Sequence, residues 1–331
     1  MKYLDELVRS MEWLSDQDDT KFLGQSVSYS GNAIFNTLKT LPEDKRIELP
    51  VFEEIQMGIS IGMALEGFVP VSCYPRFDFL LRAMDQLVNH LDKFQTMTEK
   101  TWKPKVIIRT SIGAKKPLNG GVQHTQDYTK VFKDIMEEIT VVELIDPSQI
   151  FLEFQKAYGI SLISGTANNT ALYFGDVANF DQSDSNRDRF IMSKGHAAIA
   201  QYAVLNRLGL VTDDDLMNMN NGGILGEHPD INIPGIEFNT GSLGHGLGVG
   251  VGFALSDESK KNRTFVLLGD GECYEGTIWE AANLASHLKL HNLIAIVDRN
   301  KLCINGNTED INRLEPFADK WKAFGWNVIE V

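Results

Sequence analysis

The stretch from Thr264 to Asn300, TFVLLGDGECYEGTIWEAANLASHLKLHNLIAIVDRN, decides the fold class. It begins with an apolar, β-rich run at Thr264–Leu268, continues through a glycine-flanked carboxylate into a helical pattern at Thr277–His287, and ends in a second apolar run at Leu293–Asp298. Strand, helix and strand in this order predict two parallel strands joined by a crossover helix. The pattern therefore indicates an α/β fold.

The same alternation runs along the whole chain and predicts two doubly wound parallel-sheet domains, at 1–160 and 161–331. We place their boundary in the Ser-, Thr-, Gly- and Asn-rich stretch Ser161–Ala171, which breaks the apolar periodicity. Further strands are predicted at Pro70–Tyr74, Lys105–Arg109, Thr140–Leu144 and Asn327–Val331. Further helices are predicted at Tyr3–Ser15, Glu54–Leu65, Phe79–Lys93, Ser148–Ala157, Ala197–Leu208, Leu243–Ser256 and Glu315–Phe324.

Composition narrows the class of protein. The 331 residues carry 45 acidic and 31 basic side chains, a formal net charge of −14, which disfavours a nucleic-acid partner. The sequence shows neither the ~20-residue apolar run of a membrane span nor a signal peptide, so we expect a soluble cytoplasmic protein without a membrane partner. Three widely spaced cysteines, Cys73, Cys273 and Cys303, are expected to be small buried side chains.

Two polar side chains follow the two strands of the opening stretch. Asp270, between Gly269 and Gly271, comes directly after the first strand, and Asn300 follows the second. Because parallel strands end at the same edge of a sheet, these oxygen donors are expected to be neighbours there. Such donors suit Mg²⁺ bound to a diphosphate, and the glycines let backbone approach the ligand. Taken alone, the Gly-Asp-Gly motif is better explained as an ordinary turn, and only the two strand ends together favour the metal site.

Three longer motifs of the second half resemble one enzyme family. GDGECYEGTIWEAANLASHLKLHNLIAIVDRNKL resembles the thiamine diphosphate signature in the form that transketolases carry. RFIMSKGHAAIAQYAVLNRLG and GEHPDINIPGIEFNTGSLGHGLGVGVGFAL are similar to other transketolase blocks, in the family's order. The resemblance implies a thiamine-diphosphate-binding fold with thiamine diphosphate and Mg²⁺ as cofactors.

Roles for individual residues follow from that resemblance alone. It makes Asp270, Asn300 and the carbonyl of Leu302 metal ligands, while His196 and His228 face the substrate and exchange protons with its hydroxyls. The residues expected to contact or adjoin the cofactor are Gly241, Leu243, Gly269, Gly271 and Glu275. Of these, Glu275 matches a family glutamate that meets its counterpart across a dimer axis.

The first half resembles a different branch of the superfamily. IELPVFEEIQMGISIGMALEGFVPVSCYPRFDFLLRAMDQLVNH and RTSIGAKKPLNGGVQHTQD are similar to the pyrimidine-binding domain of transketolases and of 2-oxo acid dehydrogenase beta subunits. The resemblance makes Glu53 the glutamate that activates the aminopyrimidine, whereas Glu54 is its helix-surface neighbour. Phe77 and Phe79 would lie against the pyrimidine, and His124 would face the substrate. Core packing alone would also explain the two phenylalanines.

The order of the two halves departs from the transketolase pattern, which places the diphosphate domain first and adds a third domain. The family's Ser-Gly-His-Pro-Gly and Gly-His-Asp blocks are missing from this sequence. Three interpretations stay open: a natural chain of this length, a chain from which segments are omitted, and two polypeptides joined near Tyr158–Gly165.

The leading hypothesis is a transketolase-type enzyme that transfers a two-carbon ketol unit from a ketose to an aldehyde through an enamine on the cofactor. The alternatives are a 2-oxo acid decarboxylating component and a catalytically silent cofactor-binding partner. The substrate would be a sugar or sugar derivative. The predicted assembly is a homodimer, or a heterotetramer if two polypeptides are joined, with active sites at the interfaces.

Overall fold

The computed structural model describes residues 2–30, 33–112, 123–160, 187–221, 223–257, 259, 261–303 and 306–330. The chain divides into two compact units, Met1–Thr166 and Ala167–Val331. The predicted boundary stretch Ser161–Ala171 lies outside the described residues. The described helices all lack the length and apolar character needed to cross a membrane, and the cytoplasmic location stays a prediction.

The first unit is built on a four-stranded parallel sheet in the order β2-β1-β3-β4. Its core includes Met11 and Leu14 on the first helix, which pack with Ile150 and Phe154 of the last one. The strands are Thr20–Gly24 (β1), Arg46–Glu48 (β2), Val69–Tyr74 (β3) and Ile107–Thr110 (β4). The helices are Tyr3–Ser15 (α1), Ala33–Leu38 (α2), Glu53–Leu65 (α3), Phe77–Leu80 (α4), Phe94–Met97 (α5), Thr129–Ile135 (α6) and Pro147–Ile160 (α7).

The second unit has a three-stranded parallel sheet in the order β5-β6-β7 and a short antiparallel pair, β8-β9. The strands are Arg189–Met192 (β5), Thr264–Gly269 (β6), Leu293–Asp298 (β7), Leu302–Cys303 (β8) and Gly306–Asn307 (β9). The helices are Ala198–Arg207 (α8), Asp213–Met217 (α9), Gly246–Ser256 (α10), Gly276–His287 (α11), Thr308–Ile311 (α12) and Phe317–Ala323 (α13). Helix α10 packs closely against β6 at Gly250, which has no side chain: a Cβ on Gly250 would lie only 2.6 Å from Val266 Cγ2.

The α/β class is confirmed, and so are α1 and β7 to the residue. Five strands of the described residues were not predicted: β1, β2, β5, β8 and β9, which are only two to five residues long. The helix predicted at Phe79–Lys93 is broken into α4, a 3₁₀ turn at Leu81–Ala83 and a π-helical segment at Asp85–Leu91.

Two predicted strands are wrong in the described residues. Thr140–Leu144 forms no ladder; instead, Asp92 accepts backbone hydrogen bonds from Glu137 to Ile139, immediately before it, at 3.0–3.1 Å. Residues 327–330 of the predicted strand Asn327–Val331 also form no ladder, and Trp326 donates to the carbonyl of Ala282 at 2.9 Å. In both cases the residues that directly precede the predicted strand in sequence are hydrogen-bonded to another part of the fold.

Candidate functional site

The predicted metal ligands of the second unit lie where β6 and β7 end. Because the two strands are parallel, their carboxyl ends share one edge of the sheet. Asp270 is buried, with 1% of its surface exposed. Its Oδ1 accepts from the backbone N–H of Gly271 at 2.8 Å, and its Oδ2 accepts from Arg299 Nη1 and from the backbone N–H of Lys301, both at 2.7 Å.

A tight turn after β7 brings the other two predicted ligands to the same place. Asn300 is exposed, and its Oδ1 accepts from the backbone N–H of Leu302 at 2.8 Å. Lys301, between them, has a φ of 63°, in the left-handed region. The Leu302 carbonyl oxygen would lie 3.6 Å from a Cβ built on Gly271, so the turn after β7 lies within van der Waals distance of the Gly-Asp-Gly turn.

The oxygen atoms of Asp270, Asn300 and Leu302 suit a magnesium ion. A carboxylate, an amide oxygen and a backbone carbonyl are hard oxygen ligands of the kind that Mg²⁺ takes, completed by phosphate oxygens and water. Three of the roughly four acceptor positions of the Asp270 carboxylate are occupied by donors of the chain. Counting the donors of the described residues, one acceptor position on Oδ1 therefore remains for a metal ion.

The two predicted histidines of this unit flank a contact between glycines. A Cβ on Gly195 would lie 2.8 Å from the backbone nitrogen of Gly241, so these segments touch through their backbones. A Cβ on Gly241 would in turn lie 3.2 Å from the ring of His228, which is exposed. His196 is also exposed, in the 3₁₀ turn Gly195–Ala197. The structure thus brings Gly241 between the His196 turn and the His228 ring.

Glu272 was missed by the sequence analysis and holds this edge together. It is buried, with 2% of its surface exposed, and it accepts from the backbone N–H groups of Gly244 at 2.9 Å and Gly269 at 3.0 Å, and from the Ser193 hydroxyl at 2.5 Å. A charged residue directly after the Gly-Asp-Gly motif, where a buried strand ends, was the available signal.

Gly244, the residue after Leu243, lies against Glu275. A Cβ on Gly244, whose φ is 90°, would lie 2.7 Å from Glu275 Cβ. Leu243 is half-buried, whereas Glu275 is exposed at the start of α11. The predicted contact of Glu275 across a dimer axis stays a prediction.

Two cations at the strand ends were also missed. Lys194, only 5% exposed, follows β5 and donates from Nζ to Asp298 Oδ2 at 2.5 Å, and its Cβ would lie 3.7 Å from a Cβ on Gly269. Arg299 follows β7; burial alone would lower its pKa, but hydrogen bonds to Asp270, Glu315 and Glu309 raise it above the ordinary value. Lys194 lies in the motif Ser-Lys-Gly-His and Arg299 in the motif Asp-Arg-Asn. The sequence analysis assigned roles in these motifs to His196 and Asn300 only.

The cysteines follow the prediction in part. Cys73 and Cys273 are buried free thiols. Burial raises the pKa of Cys73 to about 11 and also raises that of Cys273, so both stay neutral near pH 7. Cys303 differs, because it is half-buried; its Cβ lies 3.1 Å from the position of a Cβ on Gly271. The tight turn at Asn300–Leu302 places Cys303 beside the predicted metal ligands rather than in a core.

In the first unit, Glu53 is the first residue of α3 and is 2% exposed. Its Oε1 accepts from Gln25 Nε2 at 2.9 Å, while its Oε2 is buried without a hydrogen-bond partner among the described residues. The Nε of Arg82 lies 3.6 Å from Oε2, beyond hydrogen-bond distance. Glu54, predicted as the helix-surface neighbour, is half-buried, and its Oε1 accepts from the backbone N–H of Gln86 at 3.3 Å. A buried carboxylate oxygen without a donor fits a ligand that brings one.

The other predicted site residues of the first unit, Phe77, Phe79 and His124, follow β3 in the sequence. Phe79 packs edge-on against His124, with ring centroids 5.5 Å apart, so two predicted site residues are neighbours. Phe77 is buried against Tyr128 and Phe132, at 5.8 and 5.0 Å between ring centroids. These contacts agree with the core-packing explanation of Phe77.

At the carboxyl ends of the parallel strands of the second unit lie a carboxylate, an amide and glycine-rich turns. This arrangement is typical of α/β domains that bind a phosphorylated cofactor. A family model described as transketolase, thiamine diphosphate binding domain, matches residues 165–331, about half of the chain. The chain belongs to the transketolase family. Thiamine diphosphate is therefore the cofactor of this domain, with a divalent ion as its standard partner in the family.

Curated relatives agree with the family match. The chain is 47% identical over 167 residues to an apulose-4-phosphate transketolase subunit of Phocaeicola vulgatus, covering 49% of this chain and 59% of that protein. It is 45% identical over 146 residues to the 6-deoxy-6-sulfo-D-fructose transketolase subunit SqwG of a Clostridium species, covering 43% and 53%. The chain thus spans between half and three fifths of these two relatives. Among solved structures, the transketolase from Leishmania mexicana shares 36% identity, with 47% of this chain and 26% of that chain covered and a TM-score of 0.44.

Proposed function

We propose that the protein is a transketolase-type enzyme that transfers a two-carbon ketol unit from a ketose to an aldehyde. The observation that carries the proposal is the meeting of Asp270, Asn300 and the Leu302 carbonyl on adjoining turns, in a chain of the transketolase family. Bound thiamine diphosphate supplies a carbanion-stabilising electron sink, which amino-acid side chains lack. The protein supplies binding, orientation and proton transfer.

The second unit is proposed as the diphosphate domain. Asp270, Asn300 and Leu302 would hold Mg²⁺, and the backbone of Gly271 would border the diphosphate. Lys194, a nearly buried cation beside Gly269, would add a positive charge there. The glycine turns at Gly241 and Gly269, together with Leu243, would lie along the cofactor.

The first unit is proposed as the pyrimidine domain. Glu53 would hold a proton at Oε2 against a ring nitrogen of the aminopyrimidine, because this oxygen is buried and accepts no hydrogen bond from the described residues. Gln25 fixes the orientation of the carboxylate by donating to Oε1. Phe79 would lie against the pyrimidine, with His124 packed on its ring.

Proton exchange with the substrate is proposed for His196, His228 and His124. The two histidines of the second unit are exposed, so solvent or substrate can reach their rings. An imidazole ring can offer one nitrogen that accepts a proton and one that donates a proton, which suits it to moving protons between substrate hydroxyls and water. The substrate is proposed to be a sugar or sugar derivative, as in the names of the two relatives.

The experiment that tests the activity compares two donor classes. The full chain with thiamine diphosphate and Mg²⁺ is incubated with ketoses plus an acceptor aldehyde, and separately with labelled 2-oxo acids. We expect ketol transfer from a ketose, lost in Glu53→Gln and retained in Glu54→Gln. Labelled CO₂ from a 2-oxo acid without any ketose reaction would instead favour a decarboxylating component. Cofactor binding without either reaction would favour a silent partner.

The assembly is proposed as a homodimer, or as a heterotetramer if the chain is two polypeptides, with Glu53 and Asp270 given to each site by different copies. Two-fold assembly would complete two equivalent sites. The test mixes Glu53→Gln protein with Asp270→Ala protein under subunit exchange. Recovered activity is expected, because mixed dimers contain one intact site. Background activity despite measured exchange would mean that each site is built within one copy.

A further inference from the structure

The first unit contains a cavity of about 760 Å³, lined by residues of β4, α1, α7 and the segment that follows α6. Ligand pockets typically have volumes of roughly 300–1,000 Å³ and mostly apolar walls. The wall of this cavity is mainly apolar and includes Leu4, Leu7, Ile107, Phe132, Leu144 and Phe154. The hydroxyl of Tyr3, on α1, donates to the carbonyl of Leu144 at 3.0 Å, so two sides of the wall are joined. The cavity therefore has the size and the wall of a site for a small organic molecule.

A buried cation belongs to this apolar wall. Arg109, the third residue of β4, lines the cavity and lies on the same face of the strand as Ile107. Only 8% of its surface is exposed, and its Nη1 is buried without a hydrogen-bond partner among the described residues. A guanidinium is always charged and has donors but no acceptor. Arg109 thus keeps a donor without an acceptor at the cavity.

The described part of the chain supplies no counterion for Arg109. Burial lowers the pKa of its guanidinium, and the groups that oppose this shift are Cys73 and Tyr3. Both are neutral near pH 7, because burial raises the pKa of Cys73 to about 11 and also raises that of Tyr3. A buried charge is unfavourable unless an opposite charge neutralises it. The cavity therefore favours a ligand that brings a negative charge.

Two carboxylates of the chain also line the cavity, but they are engaged elsewhere or face water. Glu153 accepts from Lys156 Nζ at 2.8 Å, and Glu143 is exposed. Their negative charges, set against the single cation, disfavour a ligand with two or more charges. A single carboxylate on an apolar body suits both the arginine and the wall.

We propose that this cavity is a second ligand site, which binds an apolar monocarboxylate through Arg109. The planar fork of a guanidinium matches the two oxygens of a carboxylate, and the apolar wall covers the body of the ligand. Glu53, Phe79 and His124 are not among the described residues that line the cavity. The site is thus separate from the proposed cofactor site and does not rest on the proposed function.

The test is calorimetric titration of the full chain with sodium octanoate, and with octanamide as the neutral probe of the same length. We expect octanoate to bind about tenfold or more tightly than octanamide, the order of one hydrogen bond to a charged group. Arg109→Met, which keeps the length of the side chain without its charge, should weaken octanoate binding by a similar factor. Arg109→Lys should lose less, because an ammonium keeps the charge without the planar fork. The control, Arg207→Met, removes an exposed arginine of the second unit and should leave the affinity unchanged.

Any of three results would overturn the inference: no octanoate binding to wild type, equal binding of octanoate and octanamide, or equal octanoate binding by wild type and Arg109→Met. Saturating thiamine diphosphate with Mg²⁺ should leave the octanoate affinity unchanged. Competition between the two would place octanoate in the cofactor site and also overturn the inference. Circular dichroism checks folding. Should Arg109→Met not fold, an octanoate affinity that is unchanged in Arg109→Lys overturns the inference.

Discussion

The Glu272 carboxylate accepts a hydrogen bond from the backbone N–H of Gly244 at 2.9 Å, across 28 positions of sequence. It therefore joins the end of β6 to the glycine turn that precedes α10. Glu272 also accepts from the Ser193 hydroxyl and the Gly269 N–H, so one buried carboxylate connects three segments at the carboxyl ends of the strands, where the cofactor is proposed to bind.

Substitution of Glu272 should lower the stability of the protein. Glu272→Ala leaves the N–H groups of Gly244 and Gly269 without their acceptor, and we expect a loss of about 2–4 kcal/mol in unfolding free energy. Urea denaturation followed by circular dichroism measures it. Glu275→Ala, at an exposed carboxylate three residues on, should stay within about 0.5 kcal/mol of wild type. Equal losses in both variants would contradict the role of Glu272.

A methyl group at Gly195 should force two backbone segments apart. The added Cβ would lie 2.8 Å from the nitrogen of Gly241, and backbone on the far side cannot turn away as a side chain would. We expect a loss of about 1–3 kcal/mol in stability, together with weaker thiamine diphosphate binding by calorimetry. Gly276→Ala has open space at the start of α11 and should be neutral or slightly stabilising. Wild-type binding in Gly195→Ala would show that the contact can relax.

Loss of the Lys194 charge should weaken binding of the diphosphate part of the cofactor selectively. We expect Lys194→Met to lower thiamine diphosphate affinity by about tenfold, the order of one hydrogen bond to a charged group, and to leave the affinity for unphosphorylated thiamine unchanged. Calorimetry with both ligands measures this. Lys322→Met removes an exposed lysine that pairs with Asp319 and should change neither affinity. A parallel fall for both ligands would indicate a general structural effect instead.

The stability of the first unit should depend on pH through Asp92. Burial alone would raise the pKa of Asp92, but the backbone N–H groups of Ile139, Glu138 and Glu137 lower it below the ordinary 3.8. A lowered folded-state pKa gives stability that is present above the unfolded pKa and is lost as the pH falls through the folded one.

Asp92→Asn should accordingly lower the unfolding free energy at pH 7, by about 1–3 kcal/mol, and the difference from wild type should shrink below about pH 3.8. Urea titrations from pH 7 down to 3 measure both curves. The pKa of Asp127 is also lowered, by hydrogen bonds with Thr129, but this carboxylate is exposed, so Asp127→Asn is expected to change the unfolding free energy less than Asp92→Asn. A difference that stays constant across this range would contradict the role of the Asp92 charge.

Much of the fold could be predicted from local patterns. Helix α1 and strand β7 were predicted to the residue, because each carries an uninterrupted apolar period of its own. Short strands such as β2 escaped, since three residues are too few to show a period. The strand predicted at Thr140–Leu144 has the right residues but forms no ladder, and only the contacts of Asp92 and the neighbouring segments reveal that.

The sequence by itself determined the class of fold, the family and the positions of Asp270, Asn300 and Glu53, because these depend on strand ends and motifs that are local in the chain. The tertiary structure alone decided how their atoms are engaged. It shows that Oδ2 of Asp270 is taken by Arg299, that Oε2 of Glu53 accepts no hydrogen bond within the described part of the chain, and that Glu272 is buried. Hydrogen bonds between residues far apart in sequence depend on packing and side-chain rotamers, which no local pattern encodes.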